Sequence, residues 1–236
     1  MLLSAPIYHL KRNAKALARA GGLPLHAALD RVAIKEGFQS WSHLASSHAK
    51  ETPAQKVLSQ LEAGQLVLIG ARPGHGKTLL GLEMALKATQ IGRQGFFFTL
   101  DYHERDIAEA FTSIGTQPET AQTLMIDTSD DISAGYIIGQ MSKDKRPGLI
   151  VIDYLQLLDQ KRSNPDLSDQ MTALKDHVTD TGAICVLISQ IDRTFELSGK
   201  QMPDMSDIRL PNPFDLSVFD RLFFLHDGRI RMDQAA

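Results

Sequence analysis

This sequence of 236 residues contains one cysteine, no long apolar run and no apolar N-terminal stretch long enough for a leader peptide. Its single cysteine, Cys185, excludes an internal disulfide framework and indicates a reducing compartment. No run approaches the roughly 20 apolar residues that a membrane helix needs. No apolar stretch long enough for a signal peptide precedes the first lysines and arginines, so we expect neither a membrane span nor a signal peptide. We therefore expect a cytoplasmic protein.

An excess of positive charge is also lacking over the whole chain, because the formal net charge is −3. This value argues against a protein that binds nucleic acid through a high overall positive charge. The charge is uneven, however: residues 1–50 carry a balance of +5, which leaves −8 on the remainder. This asymmetry predicts two units with separate tasks. We place their boundary in the polar stretch 50–56, which contains Pro53.

Residues 1–50 are predicted to form short helices, because their apolar positions follow helical spacing between glycine stops. The pattern loosely resembles a short helical region found on plasmid-associated and glyoxalase-related bacterial proteins. This unit either binds DNA or a partner through clustered basic residues, or forms a mini-core that docks on the rest of the chain. We slightly favour the second interpretation. The basic residues are Lys11, Arg12, Lys15 and Arg19, and the candidate core residues are Leu10, Leu29, Phe38 and Trp41.

Apolar strands alternate with amphipathic helices from residue 57 onwards, which predicts an α/β fold with a mainly parallel sheet flanked by helices. The strands are predicted at 66–71, 95–100, 124–126, 149–153, 183–189 and 221–225, with a turn at Asp227-Gly228 into a further strand. The helices are predicted at 78–90, 103–111, 132–141 and 167–180. Cys185 falls inside an apolar strand, where a buried small side chain is expected.

The segment LVLIGARPGHGKTLL joins a strand to a helix through a glycine-rich turn, which is the context of a phosphate-binding loop. Glycines in such a turn let consecutive backbone N–H groups point at phosphate oxygens, and the following helix adds its positive end. Lys77 is expected to contact the β- and γ-phosphates, and the Thr78 hydroxyl to bind Mg²⁺. The predicted ATP-binding residues are Arg72, Pro73, Gly74, His75, Gly76, Lys77, Thr78 and Leu79.

A second carboxylate follows at a suitable distance along the chain. Asp153 ends the apolar strand LIVID, and an aspartate at that place can hold Mg²⁺ directly or through water. Alone this is weak evidence, since carboxylates end strands in many α/β proteins. Together with the phosphate-binding loop, it predicts a site for ATP and Mg²⁺.

The segments ARPGHGKT, LIVIDYLQLL and ISQIDR, in this order, closely resemble the ATPase domain of DnaB-like replicative helicases, which are RecA-like P-loop ATPases. The resemblance covers about residues 57–228 and implies a RecA-like ATPase domain at 57–236. The small basic unit 1–50 lies outside it. Ala71, where the general loop motif has glycine, is the residue that this family prefers.

The resemblance implies further roles in catalysis. Asp101 stands where the family carries a glutamate that orients the attacking water, and Glu104 lies close enough in sequence to substitute for it. The shorter aspartate places its carboxylate about 1.5 Å further from the water, and errors of about 1 Å can cost on the order of a hundredfold in rate. Gln190 resembles the glutamine that senses the γ-phosphate and signals to a DNA-facing loop.

Two polar loops are expected to face single-stranded DNA, mainly on the strength of the resemblance. Their basic residues are Lys161, Arg162, Arg193 and Lys200, and Phe195 among them suits base stacking. DnaB-like hexamers also insert a basic pair into the neighbouring subunit's site, for which Arg229 and Arg231 are the nearest equivalent. An ordinary solvated basic edge is an equally good interpretation of that pair.

The resemblance thus implies an ATP-hydrolysing, helicase-like protein of DNA replication that acts on single-stranded DNA as a homo-oligomer. A nucleotide-dependent DNA-binding module, loader or switch with weak ATPase activity and no unwinding remains open, because Asp101 departs from the family pattern. A third interpretation is a signalling ATPase, similar to clock-type RecA relatives, whose turnover DNA does not change.

Overall fold

The computed structural model describes residues 4, 7–49, 52–116, 121–144, 146–159, 161, 163–210, 212 and 214–233. The chain divides into two compact units, Met1–Glu62 and Ala63–Ala236. Each unit has an apolar core of its own. Among the described residues, no helix is both long enough and apolar enough to cross a membrane.

The first unit is helical over its described residues. Its helices are α1 (Ile7–Gly21), α2 (Leu25–Lys35), α3 (Trp41–Ala49) and α4 (Pro53–Leu58). The core consists of Leu10, Ala14, Val32, Ala33 and Leu44, with Leu29, Phe38 and Trp41 packed against it. The predicted residues therefore do form a mini-core, while its docking on the rest of the chain stays a prediction. Helix α4 occupies the polar stretch where we place the boundary, and it begins with a capping box between Thr52 and Gln55.

The second unit is built on one seven-stranded sheet. Its strands are β1 (Leu66–Ala71), β2 (Gln94–Thr99), β3 (Leu124–Asp127), β4 (Gly148–Asp153), β5 (Ile184–Gln190), β6 (Arg221–His226) and β7 (Arg229–Asp233). Their order is β3-β2-β4-β5-β1-β6-β7, and all neighbours are parallel except β6 and β7. The predicted hairpin at Asp227-Gly228 is confirmed, and both turn residues have the positive φ that tight hairpins require.

Helices cover both faces of this sheet. They are α5 (Lys77–Leu86), α6 (Glu104–Ile114), α7 (Ala134–Met141) and α8 (Leu167–Thr181). Residues of α7 and α8 share a core cluster with Ile150 and Leu187, whereas α5 lies against the alternate strand positions Val151 and Ile188. Because successive strand residues point to opposite faces, these contacts place helices on both sides. The predicted α/β fold, a mainly parallel sheet flanked by helices, is confirmed.

The strand register brings the predicted site residues to one edge of the sheet. Ala71 pairs with Gln190, and Asp153 pairs with Thr99 on one side and Ile188 on the other. Each of β1, β2, β4 and β5 ends there, so we call this the carboxyl edge. In open α/β sheets, ligands bind outside the carboxyl ends of the strands.

Candidate nucleotide-binding site

The phosphate-binding loop spans residues 72–76, between the end of β1 and the start of α5. Gly74 and Gly76 have φ values of 81° and 78°, a left-handed conformation that side chains disfavour. This backbone path turns the chain sharply into the first turn of α5. The free N–H groups of that turn therefore lie beside the loop, where an anion can bind.

Helix α5 lies unusually close to the sheet, and this fixes the loop in position. A Cβ atom added at Gly81 would come within 2.7 Å of Ile188 and 2.8 Å of Val151, so only glycine permits the approach. Thr78 is buried by the same packing, while Lys77 and Leu79 are half-buried. The first turn of α5 is thus held against the ends of β4 and β5.

Asp153, the last residue of β4, is a buried acidic residue at the carboxyl edge. Its side chain is fully buried, and neither carboxylate oxygen has a hydrogen-bond partner among the described residues. Burial raises the pKa of Asp153, while the nearby Thr78 hydroxyl and Lys77 ammonium lower it and the Asp101 carboxylate raises it. An uncompensated buried carboxylate is costly, which is the situation expected where a cation binds.

The donor set fits Mg²⁺. Mg²⁺ is a hard cation that takes oxygen ligands, and it is usually held by one or two carboxylates together with waters and phosphate oxygens. The buried carboxylate of Asp153 and the hydroxyl of Thr78 supply such oxygens next to the phosphate-binding loop. The ammonium of Lys77 acts electrostatically on the same carboxylate, so it lies within reach of the same ligand.

Asp101 lies two residues beyond the end of β2, at the same edge, and is exposed to solvent. Its backbone N–H donates a hydrogen bond to Oγ1 of Thr99, at 3.2 Å, which fixes the start of the loop. Its charge raises the pKa of both Asp153 and Tyr154, so it lies in the same electrostatic neighbourhood. Glu104, the alternative carboxylate, is the first residue of α6.

Gln190 is connected to a second segment of chain through its backbone. Its carbonyl oxygen accepts a hydrogen bond of 2.8 Å from the N–H of Arg209. Nε2 of Gln156 donates to the carbonyl oxygen of Arg209 at 2.6 Å. Sequence reasoning assigned no role to Gln156, although it lies within the quoted segment LIVIDYLQLL, which was the available signal. The segments around residues 156, 190 and 209 are therefore tied together.

A cleft of about 340 Å³ opens beside the phosphate-binding loop. It is lined by Arg72, Pro73, Gln190, Ile191, Asp192, Arg193 and Arg209. The Arg72 guanidinium forms one wall, because it donates to the carbonyl oxygen of Ile191 at 3.0 Å and pairs with Glu196 at 2.8 Å. Three arginines thus meet in the cleft that adjoins Gln190.

The basic residues predicted to contact DNA differ in whether they already form ion pairs within the chain. The Lys161 ammonium pairs with Asp131, and that of Lys200 pairs with both Asp204 and Asp207. Arg193 is exposed at the cleft, with no ion pair to it among the described residues. Arg162 lies outside the described residues.

Phe195 does not have the predicted exposure. It is 3% exposed and packs edge-on against His226, with the ring centroids 5.0 Å apart. The prediction of a base-stacking role for Phe195 is therefore wrong. Its loop is polar, but the short 3₁₀ helix Arg193–Leu197 turns this one apolar side chain inwards.

Arg229 and Arg231 lie on β7 and share one face, because they pair with His226 and Phe224 of the neighbouring strand. Arg229 is exposed. The Arg231 guanidinium contacts Asp233 at 2.7 Å and lies over the Phe224 ring. A role for the pair in a neighbouring subunit remains a prediction.

A parallel sheet with a phosphate-binding loop and a buried acidic residue at its carboxyl edge is the architecture expected of a RecA-like P-loop fold. Solved structures agree on the fold. A DnaB-like replicative helicase solved with its primase interactions matches 97% of this chain and 71% of its own, with 18% identity and a TM-score of 0.60. The KaiC-like protein PH0186 from Pyrococcus horikoshii matches 70% and 73%, with 19% identity and a TM-score of 0.53.

Sequence comparisons match this chain to DnaB-like helicases in particular. The family model of the DnaB-like helicase C-terminal domain matches residues 116–213. The replicative DNA helicase DnaB of Mycoplasma pneumoniae is 23% identical over 74% of this chain and 45% of its own length. A probable plasmid replicative DNA helicase of Chlamydia trachomatis is 28% identical over 63% and 40%.

These findings confirm the resemblance to a DnaB-like ATPase domain of RecA-like fold. The matches span less than half the length of these curated relatives.

Proposed function

We propose that this protein binds ATP with Mg²⁺, hydrolyses it, and uses the cycle to unwind or translocate along single-stranded DNA. The observation that carries the proposal is the buried carboxylate of Asp153, which has no hydrogen-bond partner in the described part of the chain and lies close to the Thr78 hydroxyl and the Lys77 ammonium. A cation between this carboxylate and a triphosphate compensates both charges. The similarity to DnaB-like helicases supports the choice of ATP and DNA.

The residues of the site take separate tasks in this proposal. Backbone N–H groups of the loop and the Lys77 ammonium hold the β- and γ-phosphates and stabilise charge that develops during transfer. Thr78 and Asp153 hold Mg²⁺, which neutralises phosphate charge when it is bound. The Asp101 carboxylate, exposed at the same edge, orients the attacking water.

Communication with DNA is assigned to Gln190 and the cleft. A change at the γ-phosphate moves Gln190, and its backbone bond to Arg209 passes this movement to the arginines of the cleft. Arg193 then contacts the DNA backbone, and Lys161, Arg162 and Lys200 add to that contact. The same proposal divides the chain into a small basic unit, residues 1–50, and an ATPase domain, residues 57–236.

ATP turnover tests the proposal directly. It is measured with and without single-stranded DNA for the wild type, Lys77→Ala and a matched control, Lys87→Ala. The control lysine follows the same helix and pairs with Glu83. We expect Lys77→Ala to lower kcat/KM by at least about a hundredfold. Lys87→Ala should remain within about twofold of the wild type. Unchanged turnover in Lys77→Ala contradicts the proposed site.

A second function, a nucleotide-dependent loader or switch without unwinding, is favoured by two observations. Asp101 is shorter than the glutamate of the family, and the ammonium groups of Lys161 and Lys200 are already paired with carboxylates. Sizing in ATP and Mg²⁺, combined with a strand-displacement assay, separates the two functions. A ring that displaces a strand supports the motor, whereas a monomer with slow turnover supports the switch.

A further inference from the structure

His75 of the phosphate-binding loop meets two residues from the other end of the chain. The backbone N–H of Asp227 donates a hydrogen bond to Nδ1 of His75 at 3.2 Å, across 152 positions of sequence. The imidazoles of His75 and His226 stack, with centroids 4.9 Å apart and planes inclined by 17°. We call these three residues the histidine cluster.

The donor atoms of the histidine cluster converge. One Asp227 carboxylate oxygen lies 3.7 Å from Nδ1 of His75, and the other lies 3.5 Å from Nε2 of His226. All three donor groups offer a ligand atom within 4.8 Å of the others. Tetrahedral ligands on a metal at 2.0–2.1 Å stand about 3.3 Å apart. Coordination therefore requires the two imidazoles to turn out of their stack and Nδ1 of His75 to release the Asp227 N–H, after which the three groups can reach one ion.

The polar needs of the cluster are poorly met without an ion. Nδ1 of His226 is buried and has no hydrogen-bond partner among the described residues. The ring is held by stacking on His75 and by the edge of buried Phe195. Its Nε2 faces the Asp227 carboxylate at a distance longer than a hydrogen bond. An ion between Nε2 and the carboxylate gives these two groups a partner at bonding distance, while Nδ1 stays outside that contact.

We propose that His75, His226 and Asp227 form a site for a divalent transition-metal ion of the Zn²⁺ class, which clasps the phosphate-binding loop to the β6–β7 turn. Two imidazoles and one carboxylate form a ligand set that suits Zn²⁺ and leaves a fourth position for water. The Thr78 and Asp153 oxygens suit Mg²⁺ instead. The two sites therefore differ in the ions that they select.

The backbone holds the three residues of the cluster close together. Asp227 is the one non-glycine residue with positive φ, 47°, within the described part of the chain, and this conformation sets its carboxylate at the turn. His226 is held in register as the last residue of β6. His75 sits between two left-handed glycines in the loop. Metal binding therefore joins two fixed ligands of the hairpin to one ligand of the loop.

Titration of the full chain with Co²⁺, a coloured substitute for Zn²⁺, tests the proposal in the absence of nucleotide. We expect one equivalent to bind, with the intense visible absorption of low-coordinate Co²⁺, and Zn²⁺ to displace it. Asp227→Asn should weaken binding at least about tenfold. This variant keeps the fold, because the Asp227 side chain is 73% exposed and asparagine tolerates positive φ. His226→Ala should also weaken Co²⁺ binding at least about tenfold.

Two control variants separate this site from other metal binding. His26→Ala removes an exposed imidazole outside the cluster and should leave Co²⁺ affinity unchanged. Asp153→Asn removes the proposed Mg²⁺ ligand and should also retain Co²⁺ binding. Zn²⁺ should raise the Tm of the wild type but not of Asp227→Asn, because a ligand stabilises only the form that binds it. Equal Co²⁺ affinity in wild type and Asp227→Asn, or no saturable absorption, overturns the proposal.

Discussion

Charged side chains at the carboxyl edge differ in burial and pairing from those in the loops predicted to contact DNA. At the edge, the Asp153 carboxylate is fully buried and has no hydrogen-bond partner among the described residues. In the loops, the ammonium groups of Lys161 and Lys200 are exposed and already paired with carboxylates of this chain. The first region buries a carboxylate without a hydrogen-bond partner among the described residues, and the second pairs two of its ammonium groups within the chain.

This difference indicates where a ligand gains most from binding. A buried unpaired carboxylate is costly, so a cation and its phosphates relieve a penalty that folding has already incurred. An exposed ammonium that is paired must give up its carboxylate before it can contact a phosphate of DNA. Single substitutions are therefore expected to change ATP turnover strongly at the nucleotide site, and to change DNA affinity only weakly at the DNA surface.

The largest effect is expected for Asp153→Asn, which removes the charge but keeps the shape of the side chain. ATP turnover in Mg²⁺ should fall by at least about a hundredfold, because the phosphate charge loses its cation. The rise in Tm that ATP and Mg²⁺ cause together should also disappear. Asp176→Asn, at an exposed position of α8, is the matched control and should behave as wild type. Retained turnover in Asp153→Asn would remove the contrast between the two regions.

A gain of rate is expected for Asp101→Glu. The added methylene extends the carboxylate towards the water, and we expect kcat to rise by up to about a hundredfold. Steady-state turnover at saturating ATP measures this change, with Asp130→Glu as the exposed control. A rate that stays the same or falls would show that Asp101 is not the residue that positions water.

A smaller effect is expected in the loops, and it should differ between two cations. Arg193→Ala should weaken binding of single-stranded DNA and reduce the salt dependence by about 0.7 of a counterion. Lys200→Ala should change both less, because its charge is already held by Asp204 and Asp207. Fluorescence anisotropy at several salt concentrations measures both slopes. A larger loss for Lys200→Ala than for Arg193→Ala contradicts the comparison.

The smallest effect concerns stability without ligands. Because burial raises the pKa of Asp153, the folded protein holds this proton to a higher pH than the unfolded chain does. Its contribution to the free energy of unfolding is therefore fully favourable below the ordinary pKa of 3.8 and is lost as pH rises through the raised folded value. Asp153→Asn should lack this decline in denaturant titrations between pH 4 and 7. Identical pH profiles would show that the carboxylate is compensated.

Local sequence patterns were sufficient to predict the sheet, because they depend on neighbouring residues. The apolar run that ends at Asp153 and the glycine-rich turn before Lys77 are contiguous in the chain. Strand boundaries and the β6–β7 hairpin followed from such signals to within about two residues. Phe195 was mispredicted because an aromatic residue in a polar loop gives no sign of which way its short helix will turn it.

The amino-acid sequence by itself determined the alternation of strands and helices and the type of loop that follows β1, since periodicity and glycine spacing act locally. Only the tertiary structure decided which charged side chains have partners and which have none among the described residues. Asp153 is buried at the end of a strand against which α5 packs closely at Gly81, and its carboxylate has no hydrogen-bond partner among the described residues. Lys200 is paired because its loop folds back on Asp207. The meeting of His75 with His226 and Asp227 likewise depends on β1 and β6 being neighbours, which no local pattern encodes.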